Sequence, residues 1–316
     1  MFAVLIDQFW SLTIAGIALG FIYVLVSLGY TMVYGVLRMI NFANSEIFMW
    51  GTFGAVVSNR DLFKYTQTSE PATGLKLLVV LLTGLLVSMF IAALTAVFVE
   101  FVAYRRLRMR GTNRLATLIS AIGISIALAE VMRLLTDSRP VGSPRVLEKI
   151  ILSEVWGANI RLDTVITIIA AAVIYFILER FIKLSRMGKA IRAVSQNEDA
   201  AKLMGVNLNR VITVTFLIGG LATGAAAFFY VTVFEYTKFN IGFTMGLAAF
   251  TAAVLGGIGN LRGAFYGGLA LGMLEQFASA ILGSQWKAIT VFVVLVVILL
   301  FKPNGLFGEA VQQTRT

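Results

Sequence analysis

Cysteine and histidine are both absent from this sequence. Without cysteine there is no disulfide, no thiolate nucleophile and no cysteine metal site. Without histidine, the commonest general base and the commonest metal ligand are gone as well. These absences weigh against an intramembrane metalloprotease or a haem protein, while leaving carboxylate and lysine chemistry open. Charge is scarce too: charged residues are 13% of the 316, where a soluble domain carries about 25%. So few charges cannot cover a water-facing surface. No phosphate-cradling GxxxxGK[ST] loop occurs, so the chain does not hydrolyse nucleotide by that route. The longest polar stretches, 136–163 and 183–210, are far shorter than a soluble catalytic domain. The N-terminus lacks a basic region followed by a short apolar core and a small-residue cleavage site. No cleaved signal peptide is therefore expected, and the first apolar stretch, Trp10 to Val36, remains as a span.

What is present is apolar: 59% hydrophobic residues and a mean hydropathy of +0.88. A helix needs about 20 mainly apolar residues to cross a hydrocarbon core of about 30 Å. A closed barrel also satisfies its backbone in lipid, but its strands alternate apolar and polar residues. Here the runs are continuous, as in Leu77–Val99 and Ala288–Phe301. The sequence therefore predicts an all-α polytopic membrane protein of eight to nine transmembrane helices, a single transmembrane domain over 1–316. Spans fall at roughly 10–36, 41–58, 75–103, 115–135, 164–182, 211–233, 243–257, 264–283 and 287–302. The second and seventh are short and rich in glycine or polar residues, the signature of broken or re-entrant helices.

Lysine and arginine set the orientation, since short basic loops stay in the cytoplasm. The 104–114 loop carries Arg105, Arg106, Arg108, Arg110 and Arg114 with no acid, and 183–210 is similarly basic. Segments 59–76 and 137–163 mix both signs. The basic loops are thus expected inside, with the N-terminus outside and the C-terminus cytoplasmic. The net charge of +10 is then a topology signal and an attraction to anionic lipid, with no aromatic interleaving to suggest nucleic acid. Glycines four apart within spans (Gly16/Gly20, Gly220/Gly224, Gly263/Gly267, Gly268/Gly272) predict close helix packing inside one bundle.

The stretch from Ser185 to Arg210 reads as helical and cytoplasmic. Asn197 suits an N-cap, Glu198 and Asp199 suit the first turn, and Gly205 suits a left-handed stop. Ala200, Ala201, Leu203 and Met204 form a small apolar face. Such a helix either docks into a groove of another protein or lies on the bilayer surface.

Asp199-Ala200-Ala201-xxx-Gly205 resembles the Glu-Ala-Ala-xxx-Gly segment of ABC importer permeases. Gly29-Tyr-Thr-Met-Val-Tyr-Gly35, Met39-Ile-Asn-Phe-Ala43 and Leu118-Ile-Ser-Ala-Ile-Gly123 are similar to permeases of branched-chain amino-acid importers of the LivH type. So are Ser185-Arg-Met-Gly-Lys189, Ala249-Phe-Thr-Ala-Ala-Val-Leu-Gly-Gly-Ile-Gly259 and Lys302-Pro-Asn-Gly-Leu-Phe307. The resemblance runs from about residue 10 to 308. It implies a non-enzymatic subunit without cofactor or metal, in the bacterial inner membrane, forming the path for branched-chain or other neutral amino acids. It also implies partners: two ATPase subunits seated on a coupling segment at 183–210, a second related permease and a periplasmic solute-binding protein. The ATPase-coupling residues would be Asn197, Glu198, Asp199, Ala200, Ala201 and Gly205. One departure stands out. The family reads Asn-Phe-Ala-His-Gly-Glu where this chain has Asn41-Phe42-Ala43-Asn44-Ser45-Glu46.

Asn41, Asn44 and Glu46 interrupt two apolar stretches, and irregular backbone at membrane depth survives where it is buried or lines a wet cavity. They are candidates for the translocation path; the alternative is a simple cytoplasmic turn marked by Arg38. Gly256-Gly257-Ile258-Gly259-Asn260 is a similar break, and Gly256, Gly257 and Gly259 join the path candidates. The two breaks suggest a weak internal repeat. Of the acids near spans, Glu100 is expected to pair with Arg105, Glu179 with Lys183 and Glu130 with Arg133. Glu275 has no basic neighbour within a turn and is the remaining candidate for a buried polar network on the path. Competing readings are an ion-coupled carrier, which predicts a charged site in the spans and no coupling helix, and a urea or short-amide permease of the same family. An intramembrane enzyme would need a polar catalytic constellation facing one cavity.

Overall fold

The computed structural model describes residues 8–66, 69–155 and 158–308. Residues 1–7 and 309–316, which the single-domain and N-terminal readings include, lie outside the described residues. The elements are α1 (Phe9–Leu37), α2 (Asn44–Val57), α3 (Gly74–Val99), α4 (Arg114–Leu135), α5 (Leu162–Leu184), α6 (Arg186–Gln196) and α7 (Glu198–Leu203). They continue with α8 (Leu208–Phe234), α9 (Ile241–Gly256), α10 (Leu261–Leu282) and α11 (Lys287–Phe301). A π-helical turn, Glu100–Arg105, carries α3 on to Met109. Four short strands serve the loops: β1 (Val141–Gly142) pairs with β4 (Tyr236–Thr237), and β2 (Ile151–Val155) with β3 (Ala158–Arg161), both antiparallel.

Every expected span is a helix, because an apolar run in lipid must satisfy its backbone within itself. Seven helical stretches among the described residues have the length and composition to cross a membrane. These are seven of the nine expected spans. The other two are the stretches with interrupted sequence: α2 has 14 residues and α9 has 16. A π-helical turn, Ser58–Leu62, carries α2 on to Leu62, whereas α9, at about 1.5 Å per residue, extends only about 24 Å, short of a core of about 30 Å.

The helices form an inner and an outer set. Over its most apolar stretch α1 is 72% buried and α8 78%, against 11–28% for the other five. The outer helices turn side chains such as Leu86, Phe90, Ile126, Phe176 and Phe292 outward, as hydrocarbon requires. Small residues bring the inner pair close to its neighbours. A Cβ at Gly20 would lie 2.9 Å from Leu269 Cα, and one at Gly268 would lie 2.7 Å from the Val24 nitrogen, so α1 and α10 touch backbone to backbone. A Cβ at Gly224 would lie 2.6 Å from Met89 Cα, where α8 meets α3. The glycine pairs are therefore packing surfaces within the bundle, where lipid gives no apolar drive for association.

One end of the bundle gathers the basic loops. There Arg38 meets the end of α6, Arg108 donates to Asn209 at 2.8 Å, and Asn260 donates to the Phe307 carbonyl at 3.0 Å. The other end joins Asn59 to Ser143 at 3.2 Å, the Ala72 amide to Val146 at 2.9 Å and the Ser143 amide to Glu235 at 2.8 Å.

The bundle also uses one local arrangement twice. Both inner helices end in a left-handed non-glycine residue, Arg38 (φ 52°) after α1 and Glu235 (φ 61°) after α8. Each is followed by a short irregular link and then by a short buried helix. In this local geometry the 38–43 break resembles 235–240, at the opposite end of the bundle, while Gly256–Asn260 joins α9 to α10.

Candidate functional site: a buried polar junction and the segment below it

The two short helices begin next to each other inside the bundle. Neither has a side-chain cap: Ala43 precedes α2 and Asn240 precedes α9 without capping hydrogen bonds. A Cβ at Gly242, in the first turn of α9, would lie 2.5 Å from the Ser45 carbonyl oxygen and 2.9 Å from Glu46 Oε2. The Tyr30 hydroxyl faces Ser45 and Gly246 at the same place. Two positive helix ends converge here, and the Glu46 carboxylate sits in the first turn of one and against the first turn of the other. A carboxylate at that position is stabilised by both dipoles. The acid is only 4% exposed and has no ion pair among the described residues. Its Oε1 accepts from the Ser45 hydroxyl at 3.3 Å, and the Ser125 hydroxyl of α4 also lies beside the carboxyl group.

Around this carboxylate the polar groups are tightly enclosed. Asn41 and Asn44 are each 1% exposed. Asn41 Oδ1 accepts from the Ala43 amide and from the Tyr104 hydroxyl, both at 3.1 Å. Asn44 Nδ2 donates to the Val26 carbonyl at 3.4 Å, and its amide and Thr223 both face Gly29. Higher up, the hydroxyls of Thr52 and Thr237 lie 2.6 Å apart and tie α2 to β4.

The segment after α5 is built as two consecutive helices. Ser185 caps α6 by accepting from the Gly188 amide at 2.9 Å, and Ile191 and Val194 face the bundle. Asn197 ends α6 and starts α7, accepting from the Asp199 and Ala200 amides at 3.0 Å each. Gly205 stops α7 at φ 82°, with its amide on the Lys202 carbonyl and the Val206 amide on that of Ala201. This is the Schellman pattern that glycine makes possible. Ala201 alone of the apolar face is buried; Leu203 and Met204 are 88% and 84% exposed.

The family model described as branched-chain amino acid transport system permease component matches residues 12–301. This chain belongs to that family. It is 37% identical over 297 residues to the high-affinity branched-chain amino acid transport permease BraD of Pseudomonas aeruginosa, covering 93% of this chain and 94% of that protein. The permease LivH of Escherichia coli gives the same identity and the same coverage. A probable branched-chain amino acid permease of Methanocaldococcus jannaschii is 22% identical over 90% of this chain and 88% of its own length. No solved structure matches the chain significantly.

The permease thus distributes its sequence-predicted residues over three places. Asn41, Asn44 and Glu46 meet in the junction. Gly256, Gly257 and Gly259 lie at the basic end, where the Leu306 and Phe307 amides bond to Leu255 and Gly256 at 2.8 and 3.1 Å and fasten the following segment to α9. Glu275 lies elsewhere again, between α1, α10 and α11: it accepts from the Tyr23 hydroxyl at 2.6 Å, with Lys287 at 4.0 Å. Glu179 and Glu130 pair with Lys183 and Arg133 as expected. Glu100 does not pair with Arg105. Its partner is Arg108 at 3.1 Å, because the π turn rotates Arg105 away and brings Arg108 beneath the carboxylate. Sequence reasoning gave no role to Tyr30, Tyr104, Thr223 or Thr237, whose polar groups are ordinary until long-range packing brings them to the break.

Proposed function

We propose that this permease is the membrane subunit of an ATP-driven importer in the bacterial inner membrane, providing the path for branched-chain or other neutral amino acids. The observation that carries the reading is likeness over nearly the whole chain to BraD and LivH, whose names state that transport. The same likeness supports two ATPase subunits, a second related permease and a periplasmic solute-binding protein as partners. Positive charge gathered at one end supports placing that end, and the chain beyond α11, in the cytoplasm.

Within that framework the 183–210 segment docks on an ATPase. Its tip presents acidic Asp199, 91% exposed, beside bare Leu203 and Met204. Exposed apolar side chains at a loop tip fit a protein groove. The junction of α2 and α9 is the gate on the path, closed in this arrangement, with Asn41, Asn44 and Glu46 as its polar lining. The test uses the cysteine-free background. Single cysteines at Asn197 or Lys202 are expected to label from the cytosolic side and to crosslink to the ATPase. Labelling from outside alone would overturn the orientation. For the solute, leucine uptake by reconstituted transporter should be competed by isoleucine and valine; competition by urea instead would transfer the chain to the amide readings.

A further inference from the structure

Arg38 joins the break beside the junction to the coupling segment. Its backbone amide closes α1, donating to the Tyr34 carbonyl at 2.7 Å in a left-handed conformation. Its guanidinium crosses to a different element. Nη2 donates to the Ser195 carbonyl at 3.1 Å and to the Gln196 carbonyl at 2.9 Å. Those are the last carbonyls of α6, where a cation is favoured by the helix dipole. The bonds fall on the joint between α6 and α7, one residue before Asn197 caps α7. In the other direction the chain passes within three residues to Asn41, held on Tyr104, and then into α2.

A cleft of about 290 Å3 opens between the end of α1 (Val36, Leu37, Arg38) and the joint (Val194 and Gln196 to Asp199). A side chain that bridges a cleft with two hydrogen bonds can pull without the surrounding atoms resisting, whereas close-packed elements would have to move together.

We infer that Arg38 is a positioning residue that transmits movement of the coupling segment to the 39–43 break, and so to the start of α2. This rests on the coupling reading of 183–210 above. When the ATPase shifts the α6–α7 joint, the paired carbonyls carry the guanidinium, the left-handed link rotates, and Asn41 and Asn44 are displaced from Tyr104 and Val26.

The experiment uses permease assembled with its ATPase, second permease and loaded binding protein in proteoliposomes, with radiolabelled leucine and ATP. Arg38→Met keeps the apolar stem and removes every donor. Uptake is expected to fall about tenfold while ATP hydrolysis persists, so that solute moved per ATP falls with it. Arg38→Lys, which retains a cation and one reach to a carbonyl, should give an intermediate ratio. Uptake and hydrolysis falling in proportion, or neither changing, would overturn the role. Should Arg38→Met fail to insert, the ratio in Arg38→Lys decides: a value equal to the parent's overturns the inference. A cysteine at Lys202 separates the two readings. A crosslink to the ATPase in both the parent and Arg38→Met supports the transmission role. A crosslink lost only in Arg38→Met makes Arg38 a docking residue and overturns it. No crosslink in the parent overturns the coupling reading itself, and this inference with it.

Discussion

The two breaks begin alike and end differently. Each follows a buried helix, stops it with a left-handed residue and leads into a short uncapped helix. At 38–43 the surroundings are polar and soft: amides, hydroxyls and a carboxylate held by long hydrogen bonds, with a cleft alongside. At 235–240 the link is clamped. Glu235 pairs with Arg145 at 3.0 Å and Lys149 at 2.8 Å, β4 pairs with β1, and Thr237 is bonded to Thr52. Burial alone would raise the Glu235 carboxyl, but hydrogen bonds and charge from Arg145 and Lys149 hold it below its ordinary value. The same helix–break–helix arrangement is thus held at one place by buried amides and hydroxyls and at the other by ion pairs and a short strand pair.

The strongest way to break this comparison is at the contact the two short helices share. Gly242→Val places a methyl-bearing carbon against the Ser45 carbonyl, where no side chain can yield. Uptake should be abolished, with a stability loss of about 1–3 kcal/mol in thermal unfolding of the purified permease. Near-normal transport in this variant would mean that α2 and α9 part easily and that the junction is no gate.

Asn44→Leu attacks only the break at 38–43. Removing the amide from Val26 should reduce uptake roughly tenfold, a change of about 1.4 kcal/mol, with assembly retained. A cysteine at 44 should react with a water-soluble thiol reagent faster during turnover than at rest. Fast reaction independent of turnover would make the segment an exposed turn.

Thr52→Val tests the clamped break. Thr52 also donates to the Met49 carbonyl at 2.6 Å, so Thr237 is the donor in the pair and loses its acceptor. Leaving that buried hydroxyl unpaired should cost about 1–3 kcal/mol. The loss belongs in stability, read by thermal melting, with solute moved per ATP unchanged.

The smallest effect is expected from Glu235→Gln, because partly exposed ion pairs contribute less than about 1 kcal/mol. Its sign is diagnostic. A carboxylate held low in the folded state contributes stability that is fully present above its unfolded value and is lost as pH falls through its folded value. Melting temperatures of parent and variant should therefore differ above about pH 5 and converge in stronger acid. A difference that grows on acidification would refute the ion-pair account.

Composition and local pattern by themselves determined the membrane class, the positions of the nine apolar helices and the caps at Asn197 and Gly205. These depend on residues close in sequence: a span is an uninterrupted apolar run, and a cap joins side chain and amide two or three positions apart. The same local logic marked 41–46 as a polar interruption and Glu275 as an acid without a neighbouring base. Only the tertiary structure decided what those groups meet. Glu46 faces Gly242, almost two hundred positions away, Asn41 faces Tyr104, and Glu275 finds Tyr23. It also moved the partner of Glu100 to Arg108 and set a like break at 235–240. A buried polar group takes whatever partner the folded bundle brings within about 3 Å, and sequence distance carries no information about that meeting.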